Sequence, residues 1–235
     1  MDTDSAPLDD PMVRRAMAMA VDRQKLIDDL YDGNLEIANG ILPPGIPGHF
    51  ENLRGISFDP EEARKLLAES RYAGNLPEMA YLTVDWGGDP PETVQFLVAS
   101  WRENLGIEVN ITAVDPDAYY SGTEDSEGHF LSFGWVADYP DPQNFLDVLL
   151  HSESHHSRYT NEAFDALIEQ ARVTQDSTAR LELYHLAEQL LMDDTGIIPL
   201  FHVQAHVLLQ PYVEAFAMSP TGQPDISNVQ FSGGP

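Results

Sequence analysis

In the run GWVADYPDPQNFL, residues 134–146, Trp135 and Asp138 stand three positions apart, just ahead of Pro140 and Pro142. An indole offers a flat apolar wall, and a carboxylate offers a charge-assisted acceptor for an ammonium group. In the bland reading the run is a strand end followed by a proline-fixed turn, with Asp138 and Asp141 capping local backbone donors. In the functional reading it lies at the carboxyl end of a strand in an open α/β sheet. Ligands sit at such ends, so Trp135 and Asp138 would arrive there together. Residue physics alone leaves both readings open.

Histidine supplies the other candidate chemistry. His151, His155 and His156 fall in HSESHH, and His202 and His206 lie four apart. Neutral imidazoles at such spacings could take a transition metal. The first group sits in a polar loop and the second in an expected strand with no further ligand type beside it. Solvated or packed histidines are therefore the expectation, with no metal and no other cofactor. There is no Gly-rich phosphate loop, no nucleophile elbow around a serine, no HExxH and no calcium loop, so an enzyme is not indicated. The sequence contains no cysteine, which excludes disulfides, thiolate metal sites and cysteine nucleophiles.

Charge narrows the classes further. Asp and Glu total 39 against 12 Lys and Arg, a formal net charge of −27, and the acids are spread along the chain rather than gathered in a tail. In molar salt, where the Debye length is roughly 3 Å, the self-repulsion of such a surface nearly disappears. The composition therefore reads as adaptation to high salt rather than as an acidic face for a cationic partner. With no basic patch to neutralise phosphates, nucleic acid is not an expected partner. The opening MDTDSAPLDDPMVRR lacks the basic and apolar regions of an export signal, and no apolar run approaches the roughly 18 residues of a membrane span.

The elements that must position these residues follow from periodicity and breakers. Asp10-Pro11 opens a helix with Val13, Ala16, Met17 and Ala20 on one face, and Asp22 caps a second helix to about Tyr31. ILPPGIP, residues 41–47, reads as a fixed loop crossing the surface. Asp59-Pro60-Glu61-Glu62 starts a helix running to about Arg71. Met79 to Trp86 reads as a strand, Val94 to Leu105 as a helix stopped by Gly106, and Ile107 to Val114 as a second strand, together a parallel βαβ unit. A short helix through Tyr119 and Tyr120 then leads to a third strand, HFLSFGW, ending at Trp135. PQNFLDVLL makes one or two helical turns. Two amphipathic helices follow, the first with Phe164, Leu167, Ile168 and Ala171 on its apolar face and the second with Leu183, Leu186, Ala187 and Leu190 on its own. IIPLFHV, residues 197–203, is a candidate edge or bulged strand because of Pro199. The fold class is α/β, with one domain to about residue 205 and an extended, turn-rich tail.

Six motifs in fixed order, DPMVRRAMAMAVDR, ILPPGIPGHF, FDPEEARKLLAES, GWVADYPDPQNFL, RYTNEAFDALIEQA and RLELYHLAEQLLMDDTGIIPLFH, resemble the C-terminal half of the family 5 extracellular solute-binding proteins. These are the oligopeptide, dipeptide and nickel receptors of ABC importers. The resemblance implies the C-terminal lobe of a periplasmic-binding-protein-like class II clamp: a mixed sheet flanked by helices over residues 1–205, and a tail, 206–235, that returns to a first lobe not included here. It implies peptide or another small solute as ligand and an ABC permease as partner. It also implies an extracellular or periplasmic location, with membrane anchoring in the intact receptor. By the same resemblance Asp138 pairs with the ligand's α-amino group, Trp135 lines a neighbouring pocket, and Tyr119 or Tyr120 and the segment around Phe216 add to the wall. The tail strands must fold back, pair with another chain or stay loose, so self-association through an exposed half-cleft and tail is one alternative; a nickel-type receptor lobe, implied by the family's nickel receptors, is the other.

Overall fold

Aspartates start most of the helices, and this gives part of the acidic excess a structural task. The computed structural model describes residues 1–121, 128–154, 156–204, 206–219 and 221–233. In α1 (Pro11–Met19) the Asp10 carboxylate accepts from the Met12 N–H at 2.9 Å, and in α2 (Arg23–Tyr31) Asp22 accepts from the Lys25 N–H at 3.0 Å. After the short strand β1 (Glu36–Ile37), α3 (Pro60–Glu69) begins with Asp59 accepting from the Glu61 and Glu62 N–H groups. Each carboxylate satisfies orphan donors at a positive helix end, a gain of about 0.5–2 kcal/mol per cap.

The expected βαβ unit is present. Strand β2 (Met79–Val84), helix α4 (Glu92–Leu105) and strand β3 (Val109–Val114) follow one another, with parallel pairing from Met79 opposite Val109 to Val84 opposite Val114. Gly106, at φ 70°, closes α4 in the left-handed conformation that a Cβ would strain. Helix α5 (Pro116–Ser121) comes next, then β4 (Phe130–Leu131), parallel to β2 on its other side, so the sheet order is β3-β2-β4.

The third strand is shorter than expected, since HFLSFGW pairs only at Phe130 and Leu131. Beyond them Ser132, Phe133 and Gly134 are exposed, and the Ser132 carbonyl is taken by the Tyr119 hydroxyl rather than by a neighbouring strand. Trp135 therefore stands past the sheet, on an irregular segment, and not at a strand end. The expected first strand likewise stops at Val84, short of Trp86, which is exposed.

Two hydrophobic clusters support these elements. The first packs α1, α2 and α4 against the sheet through Val13, Met17, Leu26 and Ile27. At its centre Trp101 lies against Phe130, ring centroids 4.6 Å apart, and donates its indole N–H to the Met17 carbonyl at 2.8 Å. The second is helical: α6 (Gln143–Leu150), α7 (Glu162–Val173) and α8 (Ser177–Asp194) enclose Leu146, Leu149, Phe164, Ile168, Tyr184 and Leu191. On α8 the buried face runs through Tyr184, Ala187, Glu188 and Leu191, which leaves the expected Leu186 exposed. The ILPPGIP loop belongs to this second core rather than only to the surface. Leu42 and Ile46 are buried in it, and the buried Glu188 carboxylate accepts the Ile41 and Leu42 N–H groups at 2.8 and 2.9 Å.

Of the expected strand IIPLFHV only β5 (Phe201–His202) forms, antiparallel to β1. Pro199 cannot donate to a ladder, and its carbonyl is used by the Arg23 guanidinium at 2.9 Å. The tail folds back on itself: β6 (Val213–Glu214) pairs with β9 (Gln230–Phe231), and β7 (Ala217–Met218) with β8 (Pro224–Asp225), all antiparallel. Among the described residues no helix is long and apolar enough to cross a membrane.

Candidate functional site

Between β4 and α6 the chain carries its candidate residues with alternating exposure. Trp135 is half-buried, Val136 exposed, Ala137 buried and Asp138 exposed. A buried amide fixes this pattern. Asn144, 1% exposed in the first turn of α6, accepts with its Oδ1 from the Trp135 indole N–H at 2.9 Å and from the Asp138 backbone N–H at 3.1 Å. Its Nδ2 donates to Asp138 Oδ2 at 3.4 Å. Trp135 and Asp138 are thus brought together as expected, but by a helix behind them and not by a strand beneath them.

The turn that follows is clamped from α8. Arg180 donates through both terminal nitrogens to the two oxygens of Asp141 at 2.8 Å each, and its guanidinium lies 4.8 Å above the Tyr184 ring. Asp141 also accepts the Gln143 N–H at 2.9 Å, the capping role the bland reading gave it. Burial opposes its charge, yet the Arg180 bonds, the Gln143 N–H and the arginine's positive charge together hold its carboxyl below the usual carboxylate range. Asp147 is gripped in the same bidentate way by Arg172, at 2.7 and 2.9 Å. Asp138 differs from both. Among the described residues its carboxylate meets only the Asn144 amide, so it has acceptor capacity left for an external cation.

The other candidates fall in two places. Tyr119 and Tyr120 sit edge-on with ring centroids 5.4 Å apart, and Tyr119 is tied to the site segment through the Ser132 carbonyl. Burial pushes the Tyr119 hydroxyl above its ordinary value, so it stays a donor there. Tyr120 is exposed. Phe216 lies half-buried in the tail hairpin, beside Ala215 at φ 55°, and among the described residues it shares no hydrogen bond or ring contact with the other four. His156, exposed, stands 5.4 Å from the Trp135 ring, and His151 is buried at the end of α6. His155 lies outside the described residues. Among those described, no group of three or more His, Asp or Glu is arranged to hold a metal ion. Sequence reading missed Asn144 and Arg180. A signal for Asn144 existed, namely one uncharged amide set directly against the apolar Phe145-Leu146 pair.

The sequence matches the family described as bacterial extracellular solute-binding proteins, family 5 middle, over residues 1–157. The chain belongs to this family. A probable di/tripeptide-binding protein 5 of Pseudomonas aeruginosa is 31% identical over 238 residues, covering 97% of this chain and 44% of that protein. A heme-binding protein A of Haemophilus influenzae is 29% identical, with 98% and 43% covered. Among solved structures, HbpA2 from Haemophilus parasuis superposes with a TM-score of 0.86 at 27% identity, over 99% of this chain and 47% of that one. A dipeptide-binding protein from Pseudoalteromonas sp. SM9913, solved with Met-Leu, gives 0.74 at 25% identity, over 98% and 47%. The chain spans somewhat under half the length of the relatives it matches, and its α/β fold is that of one lobe of a periplasmic binding protein.

Proposed function

We propose that this chain supplies one wall of a peptide-binding site in an ABC import system, and that it works by holding its ligand rather than by converting it. The observation that carries this reading is Asp138: an exposed carboxylate that has no basic partner among the described residues, held beside a half-buried indole. An α-ammonium group fits the carboxylate, and the adjacent side chain fits the indole face. Tyr119 and Tyr120 extend the wall, and Phe216 contributes only if the tail hairpin moves toward it. Residues 1–205 form the lobe and 206–235 the segment that meets the other lobe. The intact receptor acts outside the cytoplasmic membrane, anchored to it and delivering solute to a permease, in a high-salt organism.

An exposed ion pair contributes on the order of 0–1 kcal/mol, so binding by this chain alone should be weak. NMR titration in molar KCl with Met-Leu and with N-acetyl-Met-Leu tests the assignment. The free amine should shift resonances of residues 135–144, and the acetylated form should not. An undiminished response to Met-Leu in Asp138→Asn would remove Asp138 as the anchor.

A second reading has its own observation. Val203 is 80% exposed and Leu208 fully exposed, on a segment that joins β5 to the tail hairpin. Such an apolar run suits pairing with another chain, and a clean monomer by light scattering at high salt would exclude it.

A further inference from the structure

We infer that Asn144 is the positioning residue of this site: one buried amide orients the ammonium anchor and the side-chain wall together, so that neither is set without the other. The inference rests on the peptide-site reading above. Asn144 is 1% exposed and would touch no ligand; its side-chain oxygen and one of its amide N–H groups are spent on Trp135 and Asp138.

The chemistry requires an amide at this position. One oxygen must accept from two N–H groups, the Trp135 indole and the Asp138 backbone, while a donor faces the Asp138 carboxylate. A primary amide of this length supplies both functions. The orientation is unique as well, because turning the amide over would set its NH2 against two donors and its oxygen against a carboxylate. A leucine or alanine leaves the half-buried indole N–H with no acceptor and frees the Asp138 backbone. An aspartate keeps both accepted N–H groups but removes the donor to Asp138.

Asn144 can do this because α6 itself is fixed. Its N–H donates to the Asp141 carbonyl at 3.1 Å, and Phe145, Leu146, Leu149 and Leu150 anchor the same helix in the second core. The carboxylate that binds is thereby referenced to the rigid helical core rather than to the irregular segment that carries it. Its orientation is set before a ligand arrives, which reduces the ordering that binding must impose.

The test uses the full chain and four proteins: wild type, Asp138→Asn, Asn144→Ala and Asn144→Asp. Two quantities are read in molar KCl, the affinity ratio of Met-Leu over N-acetyl-Met-Leu and the Trp135 indole N–H resonance, assigned with Trp135→Phe. Asn144→Ala should bring the ratio to near one and move the indole resonance. Asn144→Asp, which still accepts from the indole but sets an oxygen against Asp138, should move that resonance less than Asn144→Ala does. A folded Asn144→Ala with both the ratio and the resonance unchanged would overturn the proposal. If Asn144→Ala does not fold, an indole resonance in Asn144→Asp at the position of a free, solvent-exposed indole would overturn it instead. If Asp138→Asn keeps the wild-type ratio, the peptide-site reading fails by itself, and the positioning of Trp135 is then decided by the indole resonance alone.

Discussion

Arg180 and Asp141 face each other through two parallel bonds of 2.8 Å, joining the last helix of the second core to the turn that precedes α6. Both are mostly shielded, at 26% and 32% side-chain exposure, so this pair is worth more than a surface contact. Arg180→Ala should lower stability by about 1–2 kcal/mol. It should also weaken ligand response at Asp138, because the turn between them loses its clamp. The pair predicts an acid limb too. The fold holds Asp141 charged more firmly than the unfolded chain does. Its stabilisation is therefore complete above the ordinary aspartate value of roughly pH 4 and is lost as acid protonates the folded carboxyl below it. Urea melts from pH 6 down to pH 3 should show a shallower loss in Asp141→Asn than in the wild type; parallel curves would contradict this.

Glu188 behaves in the opposite sense. Burial pushes its carboxyl up, and the Leu42 and Ile41 N–H groups and nearby His49 oppose that shift without cancelling it. Its contribution is therefore fully present below the ordinary glutamate value of roughly pH 4.3 and declines as pH rises through the folded value. Glu188→Gln keeps an oxygen for the two N–H groups and removes the charge. Its melting temperature at pH 8 should equal or exceed that of the wild type. Glu188→Ala orphans the buried Leu42 N–H and the partly buried Ile41 N–H and opens a cavity, a loss of about 2–4 kcal/mol. Equal losses in both variants would show that the charge itself is needed.

Helix starts were legible because their causes are local. Asp10, Asp22 and Asp59 each reach donors two or three residues away, and at Asp10 and Asp59 a proline directly after the capping residue announces that in sequence. The parallel β2–β3 pair was legible from alternation with a helix between. The end of β4 was not, because Ser132 leaves the sheet when its carbonyl is claimed by Tyr119, a contact across residues that periodicity cannot relate. The same holds for the site. Trp135 and Asp138 stand out as residue types, but the side chain that joins them acts from the opposite side of the turn, and the clamp Arg180 lies 39 positions beyond Asp141.

Gly48 links the ILPPGIP loop to the site turn. Its φ is +86°, and a Cβ there would meet Pro142 Cγ at 3.0 Å and Leu181 Cδ2 at 3.1 Å. Pro142 is buried at the start of α6, two residues before Asn144. Gly48→Ala should therefore destabilise by about 1–3 kcal/mol through backbone strain, and the displaced Pro142 should shift the Trp135 indole resonance. Gly45 has a similar φ of +92° with nothing within reach of a Cβ. Gly45→Ala should show the strain without the resonance shift. Identical spectra for the two variants would argue against coupling between loop and turn.

Salt should stabilise this chain, and two opposed effects set the sign. Exposed pairs such as Lys25–Asp29, Arg54–Asp193 and Lys65–Glu62 weaken as salt is added, but fully solvated pairs of this kind contribute little to begin with. Against them stands a formal net charge of −27, whose mutual repulsion acts over the whole surface. The Debye length falls from about 10 Å at 0.1 M to about 3 Å at 1 M, so most of that repulsion is removed within this interval. The unfolding midpoint should rise steeply with KCl to about 1 M and then flatten as screening saturates. A salting-out effect on apolar burial would instead keep climbing linearly, and a midpoint that falls with salt would mean that the local pairs outweigh the net charge.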